Sequence, residues 1–130
     1  KNERYIDFGK VAARIDDIAN FIPARISVAV IALAAHLLCR RCRPALAVGF
    51  SQGRRHASPN SGFSEAAFAG AFAMKLGGPS YYHGKLVEKP YIGSGFGKVS
   101  PIHIKKSCDL MMLSAFLSLV FLWLVTGVVR

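Results

Sequence analysis

Three groups of side chains in this sequence have the types and spacing that chemistry needs. Arg54, Arg55 and His56 stand together in a turn-rich segment, QGRRHASPNSG (52–62), ahead of a small-residue stretch that opens at Ser64-Glu65. Paired guanidinium forks leading into a helix start can hold an anion such as a phosphate, through the forks and the free backbone N–H groups. The same residues would equally suit contact with anionic lipid heads. Asp16 and Asn20, one helical turn apart with Asp17 alongside, offer oxygen ligands to a divalent ion. The plainer alternative is a solvated face in which Arg14 and Asp17 pair. Lys85, Glu88 and Lys89 form the third group, inside the aromatic and glycine-rich run YYHGKLVEKPYIGSGFG (81–97). Glu65 sits where a helix dipole favours a carboxylate, and spacing alone makes it a helix-start acid.

Other chemistries fail on spacing. GSGFGKVS (93–100) ends like a phosphate loop, but G-x-x-x-x-G-K-[ST] requires Gly at Ile92 and Ser or Thr at Val99. The run therefore reads as a flexible connector. Cys39 and Cys42 have zinc-like spacing with His36 one turn before, yet no second ligand pair exists, so Cys39, Cys42 and Cys108 read as free thiols at a membrane edge. Tyr-interleaved basic patches can bind single strands, but a membrane-spanning segment argues against nucleic acid.

The elements that must position these groups are mainly helical. Phe8, Val11, Ala12, Ile15, Ile18, Ala19 and Ile22 keep helical spacing, which predicts an amphipathic helix over 5–22. Asn20 then marks the start of the next helix, with Pro23 in its first turn. That apolar segment, 23–39, reads as a membrane or re-entrant helix, with Arg25 snorkelling if it spans, or as a buried helix. The stretch 40–109 reads as a basic polar loop region holding one short helix, 64–76, stopped by Gly77-Gly78-Pro79. Ala66, Gly70 and Met74 share one face of it, suited to packing against a membrane helix. Leu110–Val129 is twenty residues without a charge, and at about 1.5 Å per residue it matches the ~30 Å hydrocarbon core.

Composition agrees with a membrane protein. Hydrophobic residues make up 52% of the 130, and charged residues 18% against the usual ~25%. The net charge is +10, and residues 40–109 hold eleven basic and three acidic side chains. The positive-inside rule places that stretch in the cytoplasm. If 26–39 spans, Asp16 and Asp17 face the side opposite Arg54, so one shared site requires that segment to re-enter or lie flat. The chain lacks an initiator Met and opens on KNERYIDFGK without signal-peptide order, and so reads as a piece of a longer one.

Three stretches carry a family resemblance: ARIDDIANFIPAR (13–25), GRRHASPNSGFSEAAFAGAF (53–72) and KLGGPSYYHGKLVEKPYIG (75–93), followed by a hydrophobic C-terminal helix. In this order they resemble the C-terminal half of the CobD/CbiB cobalamin-biosynthesis membrane proteins. The resemblance implies a multi-pass inner-membrane protein whose N-terminal half is missing here, with other corrinoid-pathway membrane enzymes as potential partners. It further implies adenosylcobinamide-phosphate synthase activity: ATP-dependent amide formation between adenosylcobyric acid and (R)-1-aminopropan-2-ol or its phosphate. Activating a carboxylate as an acyl phosphate calls for Arg, Lys and Mg²⁺ around the transferring phosphoryl group. On that reading Arg54, Arg55, Asn60, Lys85 and Lys89 bind substrate or phosphate, and Asp16 and Asp17, with Glu65, serve a metal. His56, Glu65 and Glu88 are the catalytic candidates, His56 or Glu88 as base. The family favours Pro at Ala57 and often an acid at Ser94, which removes those two positions from the candidates. A noncatalytic scaffold or sensor, related to membrane proteins of β-lactamase induction, is the competing reading.

Overall fold

The computed structural model describes residues 6–56 and 58–128. Tyr5, Ala57 and Val129, which carry parts of the expectations above, lie outside them. Helix α1 spans Ile6–Ala19 and α2 spans Phe21–Cys39. The junction at Asn20 keeps the backbone ladder, with Asn20 N–H on the Asp16 carbonyl (2.9 Å) and Ala24 N–H on the Asn20 carbonyl (3.0 Å). Pro23 sits in the first turn of α2, where a missing N–H costs nothing. At its other end Arg40 adopts a left-handed conformation (φ 54) and closes the helix, its N–H reaching the His36 carbonyl at 3.0 Å.

Residues 40–109 are more structured than their sequence suggests. Helix α3, Cys42–Gln52, runs straight into a single 3-10 turn, Gly53–Arg55. Helix α4 spans Gly62–Phe72, not 64–76. Its stop is Ala73, left-handed at φ 51, rather than the later glycines. Within the expected loop region, residues 76–92 instead form two small antiparallel pairs, while 93–100 remain without strands. In one, β1 (Leu76–Gly77) pairs with β4 (Tyr91–Ile92). Inserted between them, β2 (Ser80–Tyr82) and β3 (Lys85–Val87) form a hairpin. His83 (φ 49) and Gly84 (φ 76) make its two-residue turn, both with the positive φ that matches strand twist. Helix α5 spans Pro101–Val128, beginning nine residues before the apolar run. Ser100 starts it: His103 N–H bonds the Ser100 carbonyl (2.9 Å) while Ser100 N–H bonds His103 Nδ1 (3.0 Å).

The core is built from small residues, which lets helix backbones approach closely. Val28, Ile31, Ala32 and Ala35 of α2 meet Ala45 of α3, Phe63, Ala67 and Ala71 of α4, and Leu110 of α5. A Cβ on Gly70 would fall on the Pro44 carbonyl, so the Ala66–Gly70 face expected against a membrane helix packs on α3. Helix α3 runs back along α2, as the contact of Gly49 with Val28 shows. This return brings residues 53–56 and 58–61 to the start of α2, beside α1. The Asp16 and Arg54 regions therefore share one end of the helical layer. By length and composition α2 and α5 are the two described helices able to cross a membrane. They differ in setting: 28% of the most apolar stretch of α2 is buried by neighbours, and none of that of α5.

Candidate functional site

Five of the expected residues converge. The 3-10 turn delivers Arg55 and His56, the first turn of α4 delivers Glu65, and the connection from β3 to β4 delivers Glu88 and Lys89; all five line one cleft of about 400 Å³. Gly77 and Gly78 form part of its wall. Gly78 (φ 91) is held against the Tyr91 ring, where any side chain would collide. A cleft of this size admits a small ligand or one arm of a larger one.

Two cations, two carboxylates and an imidazole thus face a common space. Lys89 is aimed by the β2–β3 hairpin, its Nζ donating to the Tyr82 hydroxyl at 2.5 Å. His56 is fixed from behind. The Ser58 backbone N–H donates to its Nδ1 at 3.2 Å, and Ser61 Oγ lies 2.6 Å from the same atom. A backbone N–H is always a donor, so Nδ1 is an acceptor and the neutral ring carries its proton on Nε2. His56 therefore offers the cleft a hydrogen-bond donor. Serving His56 takes Ser61 away from capping α4, and its side chain makes no cap bond.

The other expected residues fall elsewhere. Arg54 is exposed on the 3-10 turn and Lys85 is exposed on β3; neither lines the cleft. Successive residues of a 3-10 turn point about a third of a turn apart, so Arg54 and Arg55 diverge. Asn60 is buried at 8% exposure and works as a bracket, its Nδ2 donating to the Asp17 carbonyl (2.7 Å). Asp16 accepts from Asn20 Nδ2 at 2.8 Å and lines a second cavity, of about 360 Å³, with Asn60 and several serines. Among the described residues no three His, Cys, Asp or Glu side chains gather where a metal ion would bind. The two cavities adjoin: Ser58, Ser61 and Ser64 face the second, while His56 and Glu65 face the first.

Sequence reasoning missed the residues that hold this wall. Arg25, expected to snorkel, instead donates Nη1 to Asn60 Oδ1 (3.0 Å) and to the Phe21 carbonyl (2.6 Å). Its guanidinium lies 3.4 Å from the Phe21 ring centre and 4.4 Å from that of Phe63. Gln52 accepts the Gly93 N–H at 2.8 Å and so pins the strands to α3. The only signal for Arg25 was a cation in an apolar segment, which is retained only when paired or aimed at water.

Comparisons with known proteins show the family. The family model for "CobD/Cbib protein" matches residues 1–111. The chain is 40% identical over 120 residues to the cobalamin biosynthesis protein CobD of Clostridium perfringens, covering 92% of this chain and 38% of that protein. It is 43% identical over 119 residues to CobD of Photorhabdus laumondii, covering 92% and 37%. With the cobalamin biosynthesis protein CbiB of Salmonella typhimurium it shares 40% over 122 residues, covering 94% and 38%. The chain thus spans under two fifths of the length of these relatives, matching their C-terminal part. No solved structure matches it. On the family match and these identities, the chain belongs to the CobD/CbiB family.

Proposed function

We propose that this chain supplies the ligation cleft of a cobalamin-biosynthesis enzyme that joins adenosylcobyric acid to (R)-1-aminopropan-2-ol or its phosphate, at the expense of ATP. The relatives' names support the pathway. The convergence of Arg55, His56, Glu65, Glu88 and Lys89 on one cleft is the observation that carries the chemistry. A corrinoid is larger than this space, so one carboxylate arm enters and the ring stays outside. The carboxylate oxygen attacks the γ-phosphorus of ATP, and ADP leaves. The amine nitrogen then attacks the acyl carbon, phosphate leaves, and the proton lost by nitrogen passes to Glu88. Arg55 and Lys89 neutralise the phosphoryl oxygens as charge shifts, and His56 donates Nε2–H to the same charge. Magnesium, where bound, supplies charge neutralisation to the phosphates. Mg²⁺ is ordinarily held by one or two carboxylates plus substrate phosphates, and Glu65 is the carboxylate suited to it here.

Helix α5 is the part we place in the inner membrane, within the multi-pass arrangement that the whole protein would have. Its 28 residues span about 42 Å, and Trp123, Leu119 and Phe116 are exposed at 73%, 67% and 61%. Such a face is not stable in water. Helix α2 is flanked by α3, α4 and the non-helical residues 58–61, irregular backbone that hydrocarbon does not tolerate unless it is covered by protein. We assign α2 to the domain that carries the cleft, with its outer residues Leu33 and Leu37 at the bilayer surface.

The test is isotopic. Adenosylcobyric acid labelled with ¹⁸O in the reacting carboxylate is turned over by the purified full-length protein with ATP and amine. One ¹⁸O in the released phosphate is the expected result. Absence of turnover would favour the scaffold reading, and unlabelled phosphate would remove the acyl phosphate.

A further inference from the structure

The turn from α2 to α3 places a cation where nothing in the described fold answers it. Arg40 closes α2 in its left-handed conformation, and Arg41 follows as the residue that starts α3. Both backbone groups of Arg41 are used: its N–H donates to the Ala35 carbonyl (3.2 Å), and its carbonyl accepts from the Ala45 N–H (3.2 Å). Its side chain is not served in the same way. The guanidinium is half-buried, Nε is closed off from water, and among the described residues no acceptor meets its N–H groups. A charge withdrawn from water without a partner is costly, so an arginine held in this way calls for an anion.

Arg41 lines a cavity of about 290 Å³ between the end of α2 and the start of α5, together with His103, Lys106 and Asp109. The Ser100 N–H donates to His103 Nδ1 at 3.0 Å, so the neutral ring carries its proton on Nε2. Asp109 is the one carboxylate among the described residues that line the cavity, and it pairs with neither Arg41 nor Lys106. Two fixed cations and an imidazole N–H against one carboxylate leave the cavity net positive. An anion with several acceptor oxygens, such as a phosphate ester, suits the planar guanidinium and the ammonium together. Leu38 and Phe72 add an apolar side to the lining, for which a free phosphate has no use.

The position of the cavity selects among phosphate esters. Lys106 is the last cation and Asp109 the last carboxylate before the charge-free run that begins at Leu110, so the cavity opens where α5 leaves the polar phase. Met112 and Phe116 are exposed and continue the face of Asp109 in steps of three and four residues, a track for hydrocarbon next to the cationic lining. Basic pockets between membrane helices on the cytoplasmic side are suited to lipid headgroups. We infer that this cavity, with Arg41 as its anchor, binds the phosphodiester of an anionic phospholipid whose chains lie along Met112 and Phe116. The site is independent of the ligation chemistry and rests on the placement of α5 in the bilayer. A bound headgroup would tie the α2–α3 turn to α5 at the far end of α2 from the cleft.

The experiment uses the full-length protein, stripped of lipid in detergent and titrated by native mass spectrometry with phosphatidylglycerol and, separately, with phosphatidylcholine of the same chains. Phosphatidylglycerol should bind at least tenfold tighter, and an equal concentration of inorganic phosphate should leave it bound. Arg41→Gln should weaken phosphatidylglycerol about tenfold, as for a lost charge-assisted hydrogen bond, and Lys106→Gln severalfold. Lys105→Gln removes the same charge one residue away but outside the cavity, and should stay within twofold of the parent. Lys106 is exposed, so its variant keeps the test decisive even where Arg41→Gln unfolds. Equal affinity for the two lipids overturns the site, as do equal losses in Lys105→Gln and Lys106→Gln, which would mean surface charge alone. Displacement by inorganic phosphate would assign the cavity to free phosphate instead. Unchanged binding in both Arg41→Gln and Lys106→Gln would mean that another part of the full-length chain answers Arg41, and overturns it too. Release of the protein by alkaline carbonate washing would remove the placement of α5 and the site together, whereas a retained protein without the lipid preference removes the site alone.

Discussion

Replacing Arg25 with Met should loosen the wall between the two cavities. Arg25 is half-buried, and its Nη1 is the donor that satisfies Asn60 Oδ1 at 3.0 Å. A hydrogen bond to a charged group contributes roughly 1.5–3 kcal/mol, and a buried acceptor left without its donor costs about as much. Stacking over Phe21 and Phe63, at 3.4 and 4.4 Å, adds about 0.5–2 kcal/mol. The Phe21 carbonyl lies within one exposed turn and water can replace that donor, so it adds little. The total is about 3 kcal/mol, or roughly a 10 °C fall in Tm for a domain of this size. Met fills the space between the rings without donating. Lys keeps the charge and one bond, so Arg25→Lys should lose about half as much. Because Asn60 also brackets the Asp17 carbonyl, the 58–61 segment that fixes His56 would shift. A misplacement of about 1 Å near reacting groups costs on the order of 10²-fold in rate. Thermal unfolding in detergent and initial rates of amide formation measure both effects. An Arg25→Met protein with unchanged Tm and turnover within twofold of the parent would refute the bracket.

The two arginines of the 3-10 turn should separate. Arg55→Lys is expected to slow turnover about 10²–10³-fold, as for a donor lost from a developing oxyanion, while Arg54→Lys stays within a fewfold; steady-state rates in parallel decide it. Gly70→Ala should destabilise by about 1–3 kcal/mol because its Cβ meets the Pro44 carbonyl. Gly9→Ala, with open space around it, should gain about 0.5–1 kcal/mol, and denaturant titration compares the pair. Leu119→Arg, a charge on the exposed face of α5, should cost about 2.5–3.5 kcal/mol of insertion and reduce the fraction retained after alkaline carbonate washing.

Much of this arrangement is legible in the residues themselves. Asn20 and Pro23 mark the α1–α2 junction, and the charge-free run marks α5. The basic triplet, Glu65 and the Glu88-Lys89 pair hold the ingredients of the cleft. Helix α3 escapes because CRPALAVGFSQ is packed against both α2 and α4 and has no single apolar face to set a period. Strands of two or three residues are too short for alternation to register, so the paired segments at 76–92 look like part of the loop. Ala73 ends α4 in a conformation that sequence assigns to Gly or Asn. Arg54 and Lys85 mislead for a common reason: their neighbours in sequence reach the cleft, but local geometry turns them outward. Asp16 and Arg55 come to one end of the molecule only because α3 runs back along α2, which spacing along the chain does not reveal.

Affinity labelling tests the central claim most directly, because Lys89 is the one lysine among the described residues that lines the cleft. Periodate-oxidised ATP, followed by borohydride reduction and peptide mass mapping of the full-length protein, should modify Lys89 within this chain, with protection by excess ATP and loss in Lys89→Arg. Labelling confined to Lys105 and Lys106, or modification of Lys89 that ATP does not suppress, would contradict the assignment of this cleft to nucleotide-driven ligation.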